Sequence, residues 1–293
     1  MQRFITLLAF EIKKIFARKK AFLFLLGLNV VPILGGILAL IIFAKYKTWG
    51  LDSVRFSILG EALKGLFTAH LKLFAWISPF FLALIIGDSF CGEFYKGHMK
   101  TLLLTPVTRL QIIVAKSMAV MFYLLLAIVI GGLFLQVTLG IAKNISESPQ
   151  IIMDYSESST QSLIGPIAAL KLLLISFVAN LPIIGFFVLF ALFSESPILM
   201  AFSGLLVLMF LQTYTLMAPT LAKFDQFYGQ IAEWVFTRHS SKLFEINTLN
   251  KIMDGTLKLI DGVITQAIFG SLGWAIFFFV IAAFVFRRRA ILG

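Results

Sequence analysis

The residues of this chain best placed to do chemistry lie in one stretch, Gly92-Glu-Phe-Tyr-Lys-Gly-His-Met-Lys-Thr-Leu-Leu-Leu-Thr-Pro-Val-Thr-Arg109, with Lys116 just beyond it. Glu93, Arg109 and Lys116 supply one acid and two bases between apolar neighbours. That set suits ion pairing and anchoring at a membrane surface, not bond-making. Catalytic constellations fail on inspection. A phosphate-cradling loop needs G-x-x-x-x-G-K-[ST], so that backbone amides and a lysine reach the phosphates. The nearest string, Gly60 to Gly65, is followed by Leu66 and Phe67. Neither G-x-S-x-G nor H-E-x-x-H occurs. The three histidines, His70, His98 and His239, are far apart in sequence, so no metal-ligand spacing is present. With Cys91 as the sole cysteine, no intrachain disulfide can form. The expectation is a chain without enzymatic chemistry, metal site or cofactor of its own.

The elements that must position these charges are set by composition. Of 293 residues, 60% are hydrophobic and 13% charged, and mean hydropathy is +0.98. A soluble domain carries roughly 25% charged residues. This chain therefore reads as one whose solvent is a bilayer. The net charge of +11 would suggest nucleic acid in a soluble protein. Here it is read by its place relative to the spans, and no nucleic-acid partner is expected.

A spanning helix needs about 20 mostly apolar residues. Six stretches qualify, at 21–44, 71–87, 112–139, 163–193, 198–222 and 263–286. Lys and Arg concentrate in 1–20, in the link 88–111 and after span six, where Arg287, Arg288 and Arg289 stand. The positive-inside rule puts these segments, and both termini, in the cytoplasm. The loop 45–72, with more basic than acidic residues on the opposite side, runs against that rule. Segment 1–20 reads as a cytoplasmic amphipathic helix, with Phe4, Leu8, Ile12 and Ile15 on one face and Glu11, Lys14 and Arg18 among the polar positions. Such a helix next to a first span lies in the headgroup plane. Segment 54–70 has similar spacing and reads as an outer helix feeding span two. The extracytoplasmic segment 221–262 mixes Phe224, Phe227, Tyr228, Trp234 and Phe236 with charges, and reads as a lid of interfacial helices. No signal peptide of the usual form, repeat or separate soluble domain is apparent, so 1–293 reads as one membrane domain.

The inner link resembles the signature of type-2 exporter permeases of ATP-binding-cassette (ABC) transporters. Glu93 matches the acid that opens a short cytoplasmic helix, Gly97 the glycine, Leu102 and Leu103 the leucine pair. Pro106, Val107, Thr108 and Arg109 match the turn, and Lys116 the lysine at the base of span three. His98 and Tyr95 depart from the pattern, where Thr and a second acid are common. The resemblance extends to the N-terminal helix, the six spans and the ending Phe286 to Arg288. It implies an all-α integral membrane protein with six transmembrane helices, an amphipathic N-terminal interfacial helix and a short cytoplasmic coupling helix between spans two and three. It also implies a dimer, of two copies or with a related partner, in the cell inner membrane, each copy docking a separate cytosolic ATPase that holds the ATP and Mg.

A motor outside the bilayer moves spans only through a rigid lever crossing the interface, and a short helix between two spans is one. Gly97 permits close approach and Leu102 and Leu103 offer an apolar face. Pro106 would end the helix, and Arg109 and Lys116 suit the headgroup level, with Glu93 within their reach as a partner. Polar residues at depth, among them Asn29, Ser78, Gln136 and Asn180, are expected to hydrogen-bond between helices. The function expected is an exporter permease. The rival is a non-transporting scaffold or mechanotransmitting subunit that anchors partner proteins. A secondary carrier lacks the buried ionisable relays and repeats it would need.

Overall fold

The computed structural model describes residues 2–47, 52–95, 107–146, 166–194, 196–245, 249 and 262–288. Helix α1 spans Gln2–Phe16 and breaks at Ala17 and Arg18, where the Arg18 amide donates to the Ile15 carbonyl at 3.2 Å. Helix α2 (Lys19–Lys47) follows at once, then α3 (Asp52–Ser89) and the short α4 (Cys91–Tyr95). Helix α5 is Arg109–Ser146, α6 Pro166–Phe193 and α7 Pro197–Leu221. Two short helices, α8 (Gln226–Trp234) and α9 (Phe236–Leu243), precede α10 (Gly262–Arg288). Six of these, α2, α3, α5, α6, α7 and α10, are long and apolar enough to cross a bilayer.

The longest helices differ from the sequence expectation. Segment 54–70 is not a separate outer helix, because α3 runs unbroken through 38 residues. Helix α5 also has 38 residues. At 1.5 Å per residue each reaches about 57 Å, beyond the ~40–45 Å of a whole bilayer. Pro79 lies inside α3 and Pro32 inside α2, and both helices continue through them.

Burial ranks the spans. Helix α6 has 67% of its most apolar window inside the bundle, against 28% for α2 and α7. It is the central post, with α10 packed along it and α3 and α5 beside it. Phe187, Ile184 and Val188 of α6 are sealed with Tyr123 of α5 and Phe278 of α10 in the main core. A second cluster joins Phe67, Leu135, Leu172, Leu243 and Ile264. Helices α3 and α7 come so close that a Cβ on Gly87 would stand 2.9 Å from the Pro197 carbonyl oxygen, so only glycine fits there.

Helices α8 and α9 do not form a flat lid. Asp225 caps α8 by accepting from the Phe227 amide at 2.9 Å. Helix α9 then inserts among the spans. Its Phe236 meets the rings of Phe186, Trp274 and Phe278, and its Ser240 hydroxyl donates to the Ala179 carbonyl at 2.8 Å. The physical reason is its split surface. Phe236, Ser240 and Leu243 recur on one face and bury, while Lys242 reaches Glu233 of α8 at 3.6 Å.

Candidate functional site

The end of the bundle that carries α1 and Arg287 gathers the charges. Lys116, on the second turn of α5, is 1% exposed. A bare ammonium there would be costly, since desolvation of a buried ion amounts to several kcal/mol. It is fully answered instead. Its Nζ donates to Glu93 Oε2 at 2.5 Å, to Glu11 Oε2 at 3.1 Å and to the Ser89 carbonyl at 3.0 Å. A lysine has three N–H donors, and all three are used. The Phe90 ring lies 5.8 Å from the same nitrogen.

The two acids are as buried as the base, at 2% each. Lys14 pairs with Glu93 on its other oxygen and lies 3.8 Å from Glu11 Oε1. Arg18 approaches Glu93 at 3.9 Å. Two carboxylates thus face Lys116 inside and Lys14 at the rim. The inner four charges cancel, which is the condition for holding ions away from water. Lys20 and Asp88 add a more exposed pair at 3.7 Å.

The cluster joins three elements. Glu11 and Lys14 come from α1, Ser89 and Glu93 from the junction of α3 and α4, and Lys116 from α5. Neighbouring contacts extend the clamp. Tyr123 of α5 donates to the Ala21 carbonyl of α2 at 2.7 Å, and Cys91 Sγ donates to the Ala191 carbonyl of α6 at 3.2 Å. The start of α5 is fixed by a reciprocal cap. The Gln111 amide donates to Thr108 Oγ1 at 3.2 Å, and the Thr108 amide to Gln111 Oε1 at 2.9 Å. This arrangement has no nucleophile or general base aimed at a cleft. What it does is tie α4 to α1 and α5 through one buried ammonium.

Of the residues singled out in the sequence, Glu93 and Lys116 are brought together. Lys116 is buried inside the bundle. Arg109 is not a partner of Glu93. It stands at the first turn of α5, where its Nη1 donates to the Arg287 carbonyl of α10 at 3.2 Å. Gly97, Leu102, Leu103 and Pro106 lie outside the described residues. Glu11 is the residue missed. It was placed on the polar side of α1, yet it falls between Leu8 and Ile15 at helical spacing, in the apolar stripe itself. An acid in that stripe signals a buried base elsewhere.

Deeper in the bundle one expected polar tie between spans is present, whereas Asn29 Nδ2 donates within α2 to the Leu25 carbonyl at 2.9 Å and Asn29 Oδ1 and Gln136 Nε2 have no partner among the described residues. Ser78 of α3 donates to Asn180 Oδ1 of α6 at 2.8 Å, and Asn180 Nδ2 donates back to the Ser176 carbonyl at 2.8 Å.

A family model described as "ABC-2 family transporter protein" matches residues 7–207, from α1 into α7. No curated protein matches the chain. The matched stretch holds Glu11, Glu93 and Lys116 together with four of the six helices long enough to span a bilayer and the first part of a fifth. It covers more than half of the chain, and with the all-helical architecture it identifies this protein as a member of the ABC-2 transporter permease family, a membrane transport component without an ATPase site of its own.

Proposed function

We propose that this permease is the membrane half of an ABC exporter in the cell inner membrane, with both termini cytoplasmic. Two copies, or one with a related partner, assemble through apolar faces, which the least buried spans α2, α7 and α10 offer. Each copy docks a cytosolic ABC ATPase on α4 and the 96–106 segment, where Gly97, Leu102 and Leu103 would contact it and Pro106 would end the contact helix. The ATP and Mg belong to that partner.

The observation that carries the reading is the three-way clamp on Lys116. A push on α4 reaches Glu93, and through Lys116 it is shared between α1 and α5. Motion outside the bilayer becomes motion of a span. The charge-poor interior suits a hydrophobic, amphipathic or peptide-like cargo. Arg109 would steady the α5–α10 seam while α5 moves.

The test is a pull-down of tagged protein in detergent, with nucleotide and crosslinker, comparing wild type with Leu103→Asp and Lys116→Met. The expected result is an ATPase that co-purifies with wild type and with Lys116→Met and is lost with Leu103→Asp. If wild type captures no ATPase, the exporter reading fails and the scaffold reading replaces it.

A further inference from the structure

Helices α5 and α10 meet at the end where Arg109 bonds Arg287, and above that contact they part. Between them runs an apolar groove of about 320 Å³, open to the side. Its walls are helical stripes, with Leu110, Val114 and Met118 on α5 and Ile276, Val280 and Ala283 on α10. Leu110 and Val280 are well exposed, at 57% and 62%. The α10 stripe continues by one more turn from Ala283 to Arg287. Arg287 and Arg288 are both exposed, and Arg288 lies over the Phe284 ring at 4.2 Å. Among the described residues no carboxylate pairs with either arginine. Ser117 also lines the groove; it is buried, and its hydroxyl has no partner within the described protein.

These features fit one kind of occupant. From Leu110 to Met121 the groove wall is about 16 Å long at 1.5 Å per residue, close to the ~15 Å depth of one leaflet. It is apolar along that depth and basic at the headgroup end. Arginine presents a fork matched to phosphate oxygens. We propose that this groove is a binding site for an anionic phospholipid, with one acyl chain between α5 and α10 and the phosphate held by Arg287 and Arg288. Ser117 offers the lipid its one hydrogen-bonding group at depth. The occupant would wedge the seam between a span in the charge cluster and the last span. The site does not depend on the ATPase reading.

Native mass spectrometry of the full-length protein in detergent tests it, with titration by dioleoyl-phosphatidylglycerol or by dioleoyl-phosphatidylcholine. Phosphatidylglycerol should bind about tenfold tighter, the effect of two arginines at the headgroup level. Arg287→Ala/Arg288→Ala should remove that preference and leave phosphatidylcholine binding unchanged. Val280→Trp, which fills the groove from an exposed position, should weaken both lipids. If it does not fold, Ala283→Leu should show the same loss to a smaller degree. Excess inorganic phosphate should not compete, because the acyl chain supplies much of the binding. Equal binding of the two lipids, a preference that survives the double arginine variant, or groove-filling variants that leave both lipids untouched would each overturn the site. A shift in oligomeric state on filling the groove would assign it to a second copy instead.

Discussion

The two halves of this bundle are held by different chemistry. Where α1, α4 and α5 converge, buried ions do the work, with Lys116 saturated by Glu93, Glu11 and a carbonyl. Where α6 meets α3 and α9, neutral groups suffice, as in Ser78 to Asn180 and Ser240 to Ala179. Ions removed from water are nearly all-or-none, since loss of one partner strands the others. Neutral hydrogen bonds within a membrane contribute only modestly, because alternatives are found when one is lost. The first half is therefore a rigid joint and the second a surface on which spans can slide. In the exporter proposed above, force would enter through the first half and rearrangement would follow in the second.

The comparison is broken most severely at Lys116. Lys116→Ala leaves two buried carboxylates facing each other, and a loss of about 3–5 kcal/mol is expected. Thermal unfolding in detergent should show the largest fall in Tm of any single change in the bundle. A fall no greater than that of the neutral-tie variant below would refute the joint. Next comes Glu11→Gln, which keeps the shape but removes a charged acceptor, with an expected loss of about 1.5–3 kcal/mol. Combined with Lys116→Met in a double-mutant cycle, it should show strong coupling. Additive losses would mean that α1 is not part of the joint.

Gly87→Ala tests the packing between the halves. Its Cβ would meet the Pro197 backbone, which cannot swing away as a side chain could, and a loss of about 1–3 kcal/mol is expected from overpacking. Normal stability would show that α3 and α7 separate freely. The smallest effect is expected from Ser78→Ala, about 0.6 kcal/mol, the typical strength of such ties in a membrane. A loss as large as that at Lys116 would erase the distinction between joint and sliding surface.

Much of this was readable in the residues. Hydropathy located the six spans, because twenty apolar residues in a row have few other uses. The opposite charges of Glu93 and Lys116 suggested their pairing. Glu11 escaped because an amphipathic helix was read as apolar against polar, and an acid was assigned to the polar side by type. Only its spacing from Leu8 and Ile15 shows where it points. Arg109 was misplaced for the opposite reason. One bond it makes is to a backbone carbonyl on α10, far along the chain, and carbonyls leave no mark in a sequence. The unbroken α3 was missed because its outer half is polar enough to end a hydropathy window without ending a helix. The insertion of α9 was hidden by its charges, which sit opposite a narrow face of Phe236, Ser240 and Leu243.

The saturation of Lys116 also bears on how the protein is made. A lysine entering the bilayer without a partner is costly to insert. Both of its acids, Glu11 and Glu93, precede it in the chain. By the time α5 leaves the ribosome, its counter-charges have been synthesised and α1 to α4 are available to receive it. Chain order thus lets the span that carries this lysine be inserted against partners already present, and a permuted chain that delivered α5 first would insert the lysine without them.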